Sequence, residues 1–196
     1  GVAGGLSVDK LREQREQIEA VQEELGEAIV LLQGSEVEIR ADGSLDYPDE
    51  VLAELDIVIA SLHTSLRQER DKITQRLLNA IKNPYVDLIA HPTGRMIPGR
   101  EGADLDMDAV LAAAVEHGTA LEINAHPSRL DLNDVYARRA VEMEIPLCIN
   151  SDAHSAGDMD LLHFGIATAR RGWVQTGNVI NTWDVPRLLD WLSNRG

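Results

Sequence analysis

Histidine and carboxylate side chains stand at the ends of four apolar runs in this sequence. The runs 29–35, 57–62, 86–90 and 146–149 lead to Glu36, His63, His91, Asp152 and His154. Imidazole and carboxylate groups suit Zn²⁺, Mn²⁺ or Fe²⁺, and the absence of cysteine among them argues against a thiolate structural zinc site. An ion held in this way can neutralise phosphate oxygens and lower the pKa of bound water towards about 7. The pattern therefore indicates hydrolysis of a phosphoester.

The strength of this pattern lies in its repetition. Any one histidine in a loop is more often an ordinary hydrogen-bonded residue than a metal ligand. Parallel strands, however, place their C-terminal ends on one face of an α/β barrel, whatever the distance between those ends in the sequence. Four strand ends that carry ligand-type residues are therefore predicted to converge on one site.

Apolar periodicity and turn residues predict strands that alternate with helices. Helices are expected over 7–25, 49–55, 68–81, 106–117, 132–143, 159–170 and 184–194, with N-caps at Ser7, Asp106 and Asp131 and stops at Gly26 and Gly118. Strands are expected within 28–39, 57–62, 86–90, 120–124 and 146–149. Alternation of this kind predicts an α/β fold with a parallel sheet. About five strands are counted, whereas a closed barrel needs roughly eight.

Composition limits the classes of function. The chain has 196 residues, of which 44% are hydrophobic, so it is long enough and apolar enough for one globular domain. Its 33 acidic and 18 basic side chains give a net charge of −15, which opposes non-specific attraction to a polyanion. A nucleic acid substrate would therefore need bound metal or another domain to attract it.

Cysteine use and hydropathy suggest where the protein works. The single cysteine, Cys148, lies inside an apolar run and is expected to be a small buried hydrophobe rather than a reactive thiol. No disulfide framework is possible, which favours a reducing cytoplasm. No run approaches the roughly 20 apolar residues of a membrane span, and no basic segment precedes a hydrophobic core at the start. We therefore expect a soluble, unexported protein with no membrane partner.

Other polar residues near the strand ends allow two interpretations each. Arg95 lies in a glycine-containing loop beside His91 and could clamp a phosphate or form a structural ion pair. Asn124 ends a predicted strand and could position a ligand or substrate, or stabilise a turn. His117 and His163 fall in helical patterns and are expected to be surface or packing residues.

Five motifs also resemble, in order, the later motifs of the PHP (polymerase and histidinol phosphatase) superfamily. They are the segments 34–39, 60–63, 90–95, 121–124 and 150–154. The segments 1–7, 42–47 and 91–95 further resemble the C-terminal PHP domain of bacterial family X DNA polymerases. This second resemblance is the more specific one, because segments outside the shared metal motifs contribute to it.

The resemblance implies a distorted, TIM-like (β/α)7 barrel with up to three divalent ions and a 3′–5′ exonuclease or related phosphoesterase activity. Glu36 would bridge two ions, with His63 and His91 completing one of those sites. Asp152 would serve another site and His154 the third. Glu36 and Asp152, with Arg95, are the predicted catalytic residues, and Arg95 and Asn124 are the predicted substrate-binding residues.

One departure from the family pattern is large. The family begins with a His-x-His strand, a nearby aspartate and a second strand ending in Asp-His, and none of these occurs in this sequence. Residues 1–196 are therefore expected to form a partial PHP metallohydrolase domain that lacks two strands and four ligands. We expect about one bound ion or fewer per chain, low activity, and self-association through an open barrel edge.

Three hypotheses about function follow. The first is the PHP domain of a bacterial family X DNA polymerase, which hydrolyses DNA phosphodiesters from the 3′ end in DNA repair and reaches DNA through its polymerase domains. The second is a stand-alone PHP phosphatase that acts on a small phosphomonoester such as histidinol phosphate, which the negative charge mildly favours. The third is a structural PHP module without activity of its own.

Overall fold

A parallel sheet forms the centre of the computed structural model, which describes residues 5–194. Its five strands lie side by side in sequence order. They are β1 (Gly34–Glu38), β2 (Ile57–Ser61), β3 (Leu88–Ala90), β4 (Ala120–Asn124) and β5 (Leu147–Asn150). All four neighbouring pairs are parallel, so the C-terminal ends of all five strands lie at the same end of the sheet. The predicted α/β fold with about five strands is confirmed.

Helices precede, connect and follow the strands. They are α1 (Val8–Leu25), α2 (Asp49–Leu52), α3 (Arg70–Ile81), α4 (Met107–His117), α5 (Asp134–Glu142), α6 (Leu162–Arg171) and α7 (Val185–Ser193). Short 3₁₀ helices cover Ala156–Leu161, Thr176–Asn178 and Ile180–Thr182. No helix within residues 5–194 is long and apolar enough to cross a membrane. Residues 1–4 of the segment that contributed to the family resemblance lie outside the described residues.

Several predicted helix boundaries are confirmed by their capping contacts. Ser7 Oγ accepts a hydrogen bond from the Lys10 amide at the start of α1. Asp106 caps α4 in the same way, and its carboxylate accepts bonds from two backbone amides. Gly118 ends α4 with φ +66°, a left-handed conformation that favours glycine. The two caps of α4 fix the ends of the helix that connects β3 to β4.

Several boundaries differ from the prediction. Residues 28–33 are not part of β1, because the Gln22 side chain binds the backbone of Ile29 and Leu31 in this segment. Strand β1 begins at Gly34 and continues to Glu38, so Glu36 lies inside it. The helix predicted from 159 starts later, since residues Ala156–Leu161 form a 3₁₀ helix before α6.

The predicted N-cap Asp131 is also wrong. Helix α5 is capped by Asn133, whose side chain accepts a bond from the Tyr136 amide. Asp131 is instead 1% exposed and accepts hydrogen bonds from the backbone amides of Thr93 and Gly94 and from the Thr93 hydroxyl. Burial raises the pKa of Asp131. This aspartate joins the loop after β3 to the loop after β4, two loops that border the site described below.

The two edges of the sheet are different. At one edge, Leu147 of β5 forms a parallel bridge with Val179. The Asn181 side chain covers the same edge by bonding the amide and the carbonyl of Ile149. At the other edge, β1 pairs only with β2 within residues 5–194. Strands β3 and β4 are buried along their whole lengths, so the polar residues of β4 need partners inside the protein.

Cys148 in β5 is predicted to be chemically inert in the folded protein. The residue is 6% exposed, and burial together with the nearby charge of Glu122 raises the pKa of its thiol to about 12. Because the thiolate is the reactive form, a disulfide reagent at about pH 8 should not modify the native chain. Full modification is expected once guanidinium unfolds it. Rapid stoichiometric modification under native conditions would contradict this assignment.

Candidate metal centre

The C-terminal ends of β1, β2 and β3 bring three of the predicted ligands together. Glu36 lies within β1, His63 stands two positions after the end of β2, and His91 directly follows β3. One ligand atom from each side chain lies within 4.8 Å of the other two. The three strands are neighbours in the sheet, which explains how residues distant in sequence meet at the C-terminal ends of the strands.

Both imidazoles present Nε2 to the same carboxylate oxygen. Glu36 Oε1 is 3.1 Å from Nε2 of His91 and 3.4 Å from Nε2 of His63. Ligand atoms around a tetrahedral ion at about 2.0–2.1 Å are roughly 3.4 Å apart, so this spacing fits one shared divalent ion. One carboxylate and two imidazoles also leave a coordination position for water, as catalytic sites do. The group can therefore hold a metal ion.

Glu38 orients His63 from behind. Its Oε2 is 2.8 Å from Nδ1 of His63, and its carboxylate also accepts bonds from the His63 amide and from the amide and hydroxyl of Thr64. A carboxylate at Nδ1 places the ring proton there and leaves the Nε2 lone pair facing Glu36. Glu38 was not among the site residues predicted from the sequence. Its spacing of two from Glu36, which puts both side chains on one face of β1, was the available signal.

A buried arginine lies beneath this carboxylate. Arg76 of α3 is 2% exposed, and its Nη2 is 3.7 Å from Glu38 Oε1. The guanidinium also donates hydrogen bonds to the Ile39 and Thr64 carbonyls and to the Gln68 side chain. Burial lowers the pKa of Arg76, whereas the charge of Glu38 opposes that shift. Arg76 thus balances the one carboxylate that orients His63.

Glu36 carries the negative charge of the cluster. Burial alone would raise the pKa of Glu36, but its hydrogen bond to His91 and the charges of His91 and His63 lower it to about 2. Glu36 is therefore an anion at neutral pH. Burial lowers the pKa of His91, but hydrogen bonding to Glu36 and the charge of Glu122 raise it on balance. The other ring nitrogen, Nδ1, is buried without a hydrogen-bond partner within residues 5–194, so Nε2 makes the polar contact of this ring.

The remaining two predicted ligands lie outside this group of three. Asp152 accepts a hydrogen bond from Asn124 Nδ2 at 3.1 Å, and its Oδ2 is 3.4 Å from Nε of Arg129. The His154 side chain is 83% exposed, and its Nδ1 lies 2.8 Å from the Asp152 carbonyl oxygen. In this structure His154 therefore contacts its own loop. Its predicted ligand role and that of Asp152 stay predictions.

Known proteins with similar sequences place this site in a family. The chain is 46% identical over 180 residues to the DNA polymerase/3′–5′ exonuclease PolX of Bacillus subtilis (strain 168), a match that covers 92% of this chain and 31% of the relative. It is 35% identical over 179 residues to a protein named "Probable phosphatase" from Thermoanaerobacter sp. (strain X514), with 86% of this chain and 70% of that protein covered. The chain belongs to the PHP superfamily. The resemblance found in the motifs, including that to the polymerase domain, is confirmed.

Further comparisons define the extent of this likeness. Another "Probable phosphatase", from Shewanella sp. (strain ANA-3), is 30% identical over 189 residues, which are 87% of this chain and 68% of that protein. No family model matches the chain. The chain spans 31% of the length of the Bacillus polymerase. The names of these relatives support a phosphoesterase of the PHP type.

Arg129 is a second residue of this PHP domain that was not predicted from the sequence. Its side chain is 15% exposed beside Asp152, and its Nη1 is buried with no hydrogen-bond partner in the described part of the chain. Arg95, the arginine that was predicted to bind phosphate, donates instead to the backbone carbonyls of Arg129 and Leu130. Arg95 thus supports the loop that carries Arg129, and its own role in phosphate binding or catalysis stays a prediction.

The hydrogen bonds of Asn124 bear on both roles that were considered for it, turn stabilisation and ligand positioning. Its Oδ1 accepts a hydrogen bond from the His126 amide, which stabilises the turn after β4. Its Nδ2 donates to Asp152 and also to Glu122. The residue is 1% exposed, so its polar atoms are occupied inside the protein. Substrate binding by Asn124 stays a prediction.

Proposed function

We propose that this PHP domain is a metal-dependent phosphoesterase that hydrolyses DNA from the 3′ end, as part of a bacterial family X DNA polymerase active in DNA repair. One observation carries the proposal: Glu36 and the Nε2 atoms of His63 and His91 converge at distances that suit a divalent ion. Similarity to the Bacillus protein named as polymerase and 3′–5′ exonuclease supports the choice of DNA.

The residues around the cluster have separate tasks in this proposal. Glu36 supplies the anionic ligand, and Glu38 keeps the Nε2 lone pair of His63 directed at the ion. Mn²⁺, Zn²⁺ and Fe²⁺ are the candidate ions, because each accepts mixed carboxylate and imidazole ligands. When bound, such an ion neutralises phosphate oxygens and makes hydroxide available at neutral pH. Arg129, whose Nη1 has no hydrogen-bond partner within residues 5–194, offers a cation to a phosphate group placed beside Asp152.

The net charge favours a second candidate function. A chain of charge −15 repels DNA at moderate salt, whereas a small phosphomonoester is less affected. Two relatives are named as probable phosphatases and match most of this chain. In the first proposal, basic polymerase domains of the whole protein would hold the DNA at the site. A structural PHP module is the remaining alternative.

The same proposal includes a seven-stranded barrel, self-association and a cytoplasmic location. A sheet whose parallel strands follow one another in order is the arrangement of a barrel wall, which supports the distorted seven-stranded PHP barrel. The β1 edge, which pairs only with β2 within residues 5–194, is the proposed surface for self-association or for a covering strand. The buried, unreactive Cys148 is compatible with the proposed cytoplasmic location.

A direct assay separates these functions. The chain, loaded with Mn²⁺, is incubated with a 5′-labelled duplex that has a recessed 3′ end, and separately with p-nitrophenyl phosphate. We expect a weak ladder of strands shortened from the 3′ end, in keeping with the low activity expected from the sequence. The ladder should disappear with EDTA and in Glu36→Gln, because both remove the ion, and should persist in Glu13→Gln, a change at an exposed position of α1.

Each other outcome of this assay has a definite meaning. Release of p-nitrophenol without DNA shortening would replace the exonuclease by the phosphomonoesterase. Inactivity on both substrates despite bound Mn²⁺ would favour the structural module, provided that the Bacillus polymerase is active in parallel. DNA shortening that survives EDTA and Glu36→Gln would reject the metal mechanism itself.

A further inference from the structure

Two of the predicted ligands hold a strained backbone conformation. His91 has φ +28° and Asp152 has φ +54°, in a region that residues with a side chain rarely occupy. Such conformations persist only where surrounding contacts enforce them, and they concentrate at functional sites. The contacts that enforce both conformations should therefore be part of the site.

Glu122 makes the contact to His91. It lies in the middle of β4, is 4% exposed, and its Oε2 accepts the His91 amide at 2.6 Å. The same carboxylate accepts Asn124 Nδ2 at 3.2 Å and Asn150 Nδ2 at 2.9 Å. Three N–H donors thus meet one buried carboxylate. Burial raises the pKa of Glu122, and its hydrogen bonds and the charge of His91 oppose that rise.

Asn124 carries the connection onward to Asp152. Its Nδ2 donates to Glu122 and, at 3.1 Å, to Asp152 Oδ2. The amide is held in place from its other end, where Oδ1 accepts the His126 amide. Glu122 and Asn124 are two residues apart, so their side chains lie on the same face of β4. A short path of hydrogen bonds therefore joins the end of β3 to the loop after β5.

We propose that Glu122 is a positioning residue that, directly and through Asn124, sets His91 and Asp152 relative to each other. Glu122 touches neither ion nor substrate in this role. It fixes the backbone that presents one ligand of the Glu36–His63–His91 group and the carboxylate beside Arg129. This inference rests on the metal site proposed above, and it adds a buried residue of β4 to that site.

A merely structural carboxylate would have different surroundings. Asp87, just before β3, is such a case, since it is 5% exposed and its Oδ2 accepts the Val58 amide at 2.7 Å at the opposite end of the strands. Two of the three donors to Glu122, by contrast, come from His91 and from Asn124, which contacts Asp152. Loss of Glu122 should therefore affect metal binding, whereas loss of Asp87 should affect stability only.

The test compares Glu122→Gln with Asp87→Asn in the intact chain. Glutamine keeps the size of the side chain but has one acceptor oxygen for three donors. We expect Mn²⁺ affinity, measured by isothermal titration calorimetry, to fall about 10–100-fold in Glu122→Gln, the usual effect of losing a residue that supports a metal ligand. The visible spectrum of bound Co²⁺ should also change, because it reports the coordination geometry. Asp87→Asn should alter neither the affinity nor the spectrum.

The outcomes distinguish this inference from the proposed function. If the wild-type chain binds Mn²⁺ and Glu122→Gln binds it equally well with an unchanged Co²⁺ spectrum, the inference alone is wrong. If the wild-type chain binds no Mn²⁺, both are wrong. Should Glu122→Gln fail to fold, Glu122→Asp decides by the same two readouts, since it keeps the charge but shortens the side chain and so withdraws the carboxylate from the His91 amide. Wild-type affinity in Glu122→Asp would then overturn the proposal.

Discussion

The variant His63→Ala is expected to lose most of the bound divalent metal. His63 provides one of three converging ligand atoms, and its Nε2 is 3.4 Å from Glu36 Oε1. With only Glu36 and His91 left, the affinity for Mn²⁺ should fall by more than the roughly 10–100-fold that loss of a supporting residue costs. Metal analysis after dialysis should therefore find about one ion or fewer per wild-type chain and almost none in the variant.

Two further variants make this prediction specific. Glu38→Gln keeps His63 but weakens the contact at Nδ1, so it should give an intermediate loss of affinity. His117→Ala removes a histidine at the C-terminal end of α4, which leads into the N-terminal end of β4, opposite the metal site. This variant should leave metal content unchanged. Equal metal content in wild type and His63→Ala, or equal losses in His63→Ala and His117→Ala, would refute the assignment of His63.

Arg76→Met is expected to cost about 3–5 kcal/mol of unfolding free energy, because it leaves the buried carboxylate of Glu38 without its cation. Arg76 is 2% exposed and lies 3.7 Å from Glu38, which is itself 8% exposed. The change also removes the donors that bind the Ile39 and Thr64 carbonyls. Methionine can fill much of the space but can satisfy none of these acceptors. Urea unfolding followed by circular dichroism measures the loss.

Arg70→Met provides the matched control on the same helix. Arg70 begins α3, its side chain is 50% exposed, and it pairs with the exposed Asp104. A surface pair of this kind contributes at most about 1 kcal/mol, so this variant should unfold close to the wild-type midpoint. Equal destabilisation by the two variants would show that the buried pair with Glu38 has no special weight.

The positions of the three clustered ligands could be predicted from the sequence because the fold rule is simple. His63 and His91 follow apolar runs that form strands. Parallel strands in sequence order must bring the C-terminal ends of these runs to the same end of the sheet. Glu36 was found for the same reason, although its strand continues two residues beyond it. Strand order and ligand type thus depend on local patterns that a sequence displays directly.

The supporting residues depend on contacts that a sequence does not display. Glu38 accepts the backbone amide of His63, and Glu122 accepts that of His91. Every residue type except proline has such an amide, so the sequence does not indicate which one is bound. Asp131 shows the same limit. Two N-cap residue types stand two positions apart at 131 and 133, and tertiary bonds to Thr93 and Gly94 decide that Asp131 points inward. Arg129 follows no periodic pattern, because it lies in an irregular loop.

The most direct test of the metal site is a crystal of the chain grown with Mn²⁺ and measured near the manganese absorption edge. We predict an anomalous peak about 2.0–2.2 Å from a Glu36 carboxylate oxygen and from Nε2 of both His63 and His91. Glu38 should remain at Nδ1 of His63. A map with no peak among these three side chains, or with the only peak beside His154, would contradict the assignment.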